Sequence, residues 1–311
     1  MSLRHSMLAI LVILLWGMNV VVIDEGMSDV PPLLFLALRF TLVALPWVFL
    51  VPRPEVSWRL VVAVGAFMSL GQFSLLYVAL DLGLPAGLAS LLLQAQVIFT
   101  IVLAAGLLGE MPTRRQAVGV LVGAGGLAFV VVAHGVSAPI IPVLVMLGAT
   151  LSWAAGNVIV RSAGTASGLS LVVWSALVVP IPAGLASVVL DGRQEVGDAL
   201  INLSGTAVAS TVYAAVGSSI IGYGIWNSLL ARYPASAVVP FALLMPVVGI
   251  VTAWVVQDEV PLVLETVGGV VMLAGVAVAT AGRGRGSDDT VDVPRRGRRL
   301  PATTTSRRSS R

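Results

Sequence analysis

The chain of 311 residues is 58% hydrophobic and only 11% charged, whereas soluble globular proteins carry about 25% charged residues; a soluble domain is excluded. With no cysteine and two scattered histidines, it has no disulfide, no thiol chemistry and no Cys- or His-built metal cage. The net charge of +3 says little about partners, because half of the 18 basic residues fall after position 282.

Apolar stretches follow one another with short links, and ten of them are long enough to cross about 30 Å of hydrocarbon. The first runs from Ser6 to Ile23. A signal peptide is the alternative there, but a small-x-small cleavage pattern is missing and Trp16 and Asn19 are unusual in one. The others are Pro31–Val51, Leu60–Leu80, Pro85–Leu108, Gln116–Ala133, Pro139–Val160, Leu169–Leu190, Thr206–Ala231, Pro234–Val256 and Leu262–Ala281. With the N-terminus inside, the inner links carry Arg53, Arg59, Arg114, Arg115, Arg161 and Arg232, while the outer links carry only Arg193 against many acids. That asymmetry satisfies the positive-inside rule and predicts that both termini are cytoplasmic.

A repeat organises these spans. Residues 85–110 read PAGLASLLLQAQVIFTIVLAAGLLGE and residues 234–259 read PASAVVPFALLMPVVGIVTAWVVQDE, an offset of 149 at both ends. Gly119 and Gly126 recur at Gly268 and Gly275 with the same offset. Five spans per copy is an odd number, so the second copy inserts upside down. The expected architecture is an all-α polytopic membrane protein: ten transmembrane helices forming two inverted five-helix repeats, 1–133 and 134–282. Residues 283–311 are polar and rich in Arg, Ser and Thr, which predicts a disordered cytoplasmic tail. The tail lacks the aromatic interleaving of a nucleic-acid binder, and anionic lipid headgroups are its expected partner.

Few polar side chains lie deep in the spans. Arg39 sits about 12 Å below the outer surface at 1.5 Å per residue. A charge at that depth needs a partner: either a substrate carboxylate, or one of Asp24, Glu25, Asp29 and nearby helix carbonyls. Gln94 lies at about the same depth, and Gln96, some 200° round the helix, cannot share its face. One can face a cavity while the other bonds a neighbouring helix, although interhelical bonding alone is common in bundles. Trp16 with Asn19, and Trp153 with Asn157, each share a helix face near opposite membrane surfaces. An aromatic wall beside an amide suits a small polar solute, while interfacial anchoring is the plainer role for the tryptophans. Gln72, Tyr223, Trp226 and Asn227 are further candidates. Gly119 and Gly123 form a GxxxG face that suits close packing, with a homodimer as the alternative.

Neither a phosphate loop nor a nucleophile elbow is present, so no catalytic site and no cofactor are expected. Asp81, Glu110, Asp258 and Glu259 lie at span ends, and the expectation is that no acid lies deep in any span. A lone deep cation favours an anionic or zwitterionic metabolite over an organic cation exchanged for protons.

The segments LLWGMNVVVI, PPLLFLALRF, PAGLASLLLQAQVIFT, LSWAAGNVI, VVWSALVVPIP and IIGYGIWNSLLARY resemble the EamA family of the drug/metabolite transporter superfamily, and within it the cysteine and O-acetylserine exporters. The resemblance implies an inner-membrane exporter of small amino acids or derivatives working by alternating access. Other metabolites or drugs of the superfamily, or a non-transport scaffold, are the alternatives.

Overall fold

The computed structural model describes residues 1–137, 139–162, 168–233 and 235–280. Pro234 and the tail 283–311 lie outside the described residues. Every regular element among them is helical. Eight helices are long and apolar enough to cross a membrane. They are α1 (Leu3–Gly26), α2 (Pro32–Phe49), α3 (Trp58–Asp81), α4 (Ala86–Leu108), α5 (Arg114–Ser137), α6 (Ile141–Ser162), α9 (Gly205–Arg232) and α11 (Val263–Thr280). The stretch expected as one span between Leu169 and Leu190 is instead a bent pair, α7, made of Gly168–Ala176 and Pro180–Leu190 at 40°. Pro180 at the start of the second piece cannot continue the ladder of the first, so the axis turns there. The ninth expected span is a shorter apolar helix, α10 (Met245–Gln257), preceded by a 3-10 segment Val239–Leu244. The link before α9 folds as a polar helix, α8 (Arg193–Ile201).

Local chemistry sets the helix ends. Ser57 and Ser204 cap α3 and α9 by accepting from Leu60 N and Ala207 N. Thr113 and Gln116 form a reciprocal capping box before α5, with Gln116 Oε1 accepting from Thr113 N at 2.9 Å. Inside the bundle, α2 is buried on most sides, through Leu33, Phe35, Leu36, Phe40 and Ala44, with Leu38, Thr41 and Leu42 half-buried on the remaining face. A helix apolar all round belongs at the centre of a bundle. Helix α5, by contrast, exposes Val118, Leu121, Phe129 and Val132, as a lipid-facing helix does.

The offset of 149 reappears in backbone geometry. Helix α3 is wound as a π-helix over Gly65–Gly71, and α9 over Tyr213–Gly222, which contains the shifted interval 214–220. Helix α4 is interrupted at Leu93–Gln94, opposite the 3-10 segment that precedes α10. Gly109 and Asp258, one offset apart, both end their helices in the left-handed region at φ 67° and 55°. The next amides then reach back identically, Glu110 N to Ala104 O and Glu259 N to Ala253 O, each at 3.3 Å.

Helices α5 and α11 pack backbone to backbone through their glycines. A Cβ on Gly119 would lie 2.5 Å from Ala279 N and 2.6 Å from Gly275 O, and one on Gly126 would lie 2.7 Å from Gly268 O. The pairs run in opposite directions, so the two helices are antiparallel. Exchanging the copies turns the Gly119–Gly275 contact into Gly268–Gly126, so the seam is self-complementary. The GxxxG face is therefore occupied within the chain: Gly123 is covered by Ile98 and by Gly275.

Contacts at helix ends sort them onto two faces. On one, Glu259 meets the start of α4, and Gln257 meets Asp24 and Glu25 at the end of α1. On the other, Glu110 meets Arg161, His5 meets Tyr233, and Ser170 and Trp174 bond Pro52 and Val51. Glu265, an acid the sequence reading did not name, is buried, at 8% exposure, in the first turn of α11, at the end of the last span. Near a helix N-terminus a carboxylate has a favourable dipole and amide donors, and its Oε2 accepts from Leu262 N at 3.4 Å.

Candidate functional site

Arg39 is 2% exposed at the middle of α2. Its Nη1 donates to Tyr77 Oη at 2.8 Å and its Nη2 to Ser219 Oγ at 3.2 Å, while its guanidinium carbon lies 4.3 Å from the Phe73 ring centroid. Phe35, Phe40, Phe73 and Tyr77 interlock round it with centroids 5.5–6.0 Å apart. Two helices supply these partners. On α3, Phe73 and Tyr77 are four residues apart and share a face just after the π segment. On α9, the π winding lets the Ser219 hydroxyl donate to Ala214 O five residues back, at 2.9 Å, while accepting from Arg39. Of the two partners expected from the sequence, neither Asp24, Glu25 and Asp29 nor a helix carbonyl holds Arg39. No carboxylate among the described residues reaches ion-pair distance, and Nε has no partner.

The balance of energies is informative. An ion taken out of water costs several kcal/mol. Hydrogen bonds to a charged group return about 1.5–3 kcal/mol each, and a desolvated cation–π contact about 2 kcal/mol. The neutral cage therefore tolerates the guanidinium, and leaves its Nε without an acceptor and its charge without an anionic partner among the described residues.

Trp16 lies beside this cage. Its Nε1 donates to Ser218 O at 2.9 Å, and its ring meets Tyr223 and Trp226 at 5.0 and 5.3 Å. Gly222 makes the approach feasible, since a Cβ there would sit 2.6 Å from Trp16 Nε1. Helix α1 is interrupted at Met18, and the Leu15 carbonyl accepts from Tyr213 Oη at 2.9 Å instead of closing the ladder. Asn19 follows, buried at 8% exposure, with Oδ1 unpartnered. Gln72 and Gln94 are also buried, on α3 and at the break in α4.

A second polar group lies on the other half of the bundle. Asn157 Nδ2 donates to Gln96 Oε1 at 2.8 Å and to Thr100 Oγ1 at 3.2 Å, joining α6 to α4. Trp153 is half-buried one turn away, and Asn227 packs against Gly168 with its Nδ2 unpartnered. The sequence candidates thus divide: Arg39, Trp16, Tyr223 and Trp226 gather along α9, while Gln96 and Asn157 bond each other. Sequence reading missed Tyr77, Ser219, Phe73 and Thr100. The Phe73–Tyr77 spacing and the Ser218–Ser219 pair inside an apolar span were the available signals.

Two cavities lie apart from Arg39. One of about 200 Å³ is lined by Pro85, Gly87, Leu88, Glu259 and Glu265. The other, about 390 Å³ and almost wholly apolar, lies between α2 and α9 at Leu38, Thr41, Leu42, Val208 and Val212.

The profile of the EamA-like transporter family matches residues 4–132 and 140–281. A "Probable amino-acid metabolite efflux pump" of Salmonella typhimurium is 39% identical over 288 residues, covering 91% of this chain and 96% of that protein. Its namesake in Escherichia coli is 38% identical with the same coverage. A "Probable terminal-alkyne amino-acid exporter" of Streptantibioticus cattleyicolor is 31% identical over 66% of this chain and 68% of its own. A crystal structure 20% identical in sequence superposes with a TM-score of 0.60, covering 90% of this chain and 97% of the other, so the fold is shared.

Proposed function

The chain belongs to the EamA-like transporter family, a multi-pass inner-membrane exporter and not an enzyme, and from that premise we propose that it exports small amino acids or close derivatives by alternating access. The supporting observation is Arg39: a buried guanidinium with a free Nε and no carboxylate partner. A substrate carboxylate supplies the missing charge and can be held bidentately. The names of the relatives favour an amino-acid metabolite, and within that class the resemblance of the sequence motifs favours cysteine and O-acetylserine. Trp16, Tyr223 and Trp226 form the wall beside the carboxylate, with Asn19, Gln72 and Gln94 as the buried polar groups around it. Gln96 and Trp153 sit on the path towards the other face, where Asn157 holds the Gln96 amide in place.

The transport cycle rests on the repeat. Two inverted halves, 1–133 and 134–282, are supported by the matched π segments, the matched helix breaks and the antiparallel glycine seam, and ten spans with cytoplasmic termini by the hydropathy pattern and the arginines of the links. Rocking of one half against the other opens the site to each side in turn.

Export of labelled cysteine and O-acetylserine from cells making the protein tests this. Arg39→Ala is expected to abolish export at unchanged membrane abundance, and Arg39→Lys, which keeps charge but loses the fork, to fall at least 10-fold. Undiminished export by Arg39→Ala would remove the carboxylate role.

A further inference from the structure

The two copies of the tryptophan–asparagine motif differ in what their asparagines can bond. On α6, Asn157 is satisfied by Gln96 and Thr100 of α4. Near its counterpart on α1, Gly17 and Gly249 of α10 interlock: a Cβ on Gly17 would be 2.9 Å from Met245 O, and one on Gly249 3.2 Å from Gly17 O. The offset of 149 carries Gln96 to Met245 and Thr100 to Gly249. A thioether and a bare Cα thus stand where the other copy has an amide and a hydroxyl. Asn19 Oδ1 is left buried without a donor.

A second unpartnered atom lies on the neighbouring helix. Arg39 Nε is a donor lacking an acceptor, whereas Asn19 Oδ1 is an acceptor lacking a donor. The two helices lean on consecutive residues of α9: Trp16, one turn before Asn19, donates to Ser218 O, and Arg39 donates to Ser219 Oγ. Both residues also sit seven positions from the same-side ends of their helices, about 10 Å in at 1.5 Å per residue. An orphan acceptor and an orphan cationic donor at the same depth, on helices anchored at consecutive residues of α9, are complementary to a group that carries an ammonium and a carboxylate on one carbon.

We propose that Asn19 Oδ1 receives the substrate's ammonium group, so that the transporter selects α-amino acids over their des-amino counterparts, while Asn157 is an interhelical strut. This rests on Arg39 as carboxylate receptor and adds the atom that reads the amine.

The test uses purified protein in proteoliposomes, with labelled cysteine counterflow competed by cysteine, 3-mercaptopropionate (no ammonium) and cysteamine (no carboxylate). Wild-type protein should prefer cysteine at least 10-fold over either analogue. Asn19→Leu should lose the preference over 3-mercaptopropionate, through a 10-fold or greater fall in cysteine affinity with 3-mercaptopropionate unchanged. Asn19→Asp, which keeps an acceptor, should retain the preference and serves if the leucine variant does not fold. Asn157→Leu should lower the melting temperature and leave the affinity ratio as it was. An unchanged ratio in Asn19→Leu, a lost preference in Asn19→Asp, an equal loss in Asn157→Leu, or a wild type indifferent to the ammonium overturns the proposal. Arg39→Gln separates the two claims: it should erase the preference of cysteine over cysteamine. If that preference survives, the carboxylate reading fails while the response to Asn19 substitution is still read on the amine. Wild-type protein that does not bind cysteine overturns both.

Discussion

Helices α4 and α10 end alike and are fastened differently. Each finishes on a residue in the left-handed region followed by glutamate, and the glutamate amides make the same 3.3 Å bond. The Glu259 carboxylate turns inward and accepts from Ala86 N and Gly87 N at 3.1 and 3.0 Å, while Gln257 Nε2 beside it donates to Asp24 and Glu25 at 2.7 and 2.9 Å. The Glu110 carboxylate turns outward to Arg161, with the two side chains 40% and 43% exposed. One face is thus closed by charge-assisted bonds that tie α1, α4 and α10 together, and the other by a wet ion pair. An exposed ion pair contributes about 0–1 kcal/mol, whereas charge-assisted caps on two helix amides contribute more. The repeat fixes the backbone at both ends, and the side-chain partners decide which face holds more firmly.

Substitutions can break that contrast. Glu259→Ala carries the largest expected effect, a loss of about 1–2 kcal/mol from the helix cap. Because the chain has no native cysteine, Leu88→Cys, on the wall of the cavity beside Glu259, reports opening through an impermeant maleimide. Labelling from that face should rise several-fold in Glu259→Ala and stay unchanged in Glu110→Ala. Gly109→Ala comes next. The φ of 67° is costly for any Cβ, so thermal unfolding should show a loss of about 1 kcal/mol. Asp258→Gly, at φ 55°, should relieve the same strain and be neutral or mildly stabilising. Glu110→Gln should have the smallest effect, at most about 1 kcal/mol, vanishing at high salt because the pair is exposed. Equal responses of Glu110 and Glu259 would erase the distinction between the faces.

Much of the frame was legible in the sequence, because the membrane imposes length and polarity rules that a string of residues displays directly. The stretches around α1 to α6, α9 and α11 and the Gly-Glu ends needed no tertiary information. The need of Arg39 for a partner was equally readable; which partner was not. Tyr77 and Ser219 are ordinary residues in apolar spans, and they reach the guanidinium only because α3 and α9 wind locally with five-residue bonds. That winding depends on contacts such as Tyr213 Oη on Leu15 O, between residues 198 positions apart. Asn157 as a strut and Asn19 as an unpaired amide could have been separated earlier, since Met245 and Gly249 stand at the offset positions of Gln96 and Thr100. The bend of α7 was announced by Pro180. Glu265 was hidden by its place in the first turn of a span, where a carboxylate is cheap to bury.

The glycine seam between α5 and α11 carries a thermodynamic consequence. Exchanging the copies maps the Gly119–Gly275 and Gly126–Gly268 contacts onto each other, so this glycine pair favours neither of the two related arrangements of the bundle. In the proposed rocking cycle this pair can serve as a fulcrum without itself setting a direction. Any vectoriality must come from residues without a twin, from Gln94 and Gln96 against Leu243 and Met245 or from Arg161 against the amides of α4, or else from the concentration gradient of the solute itself.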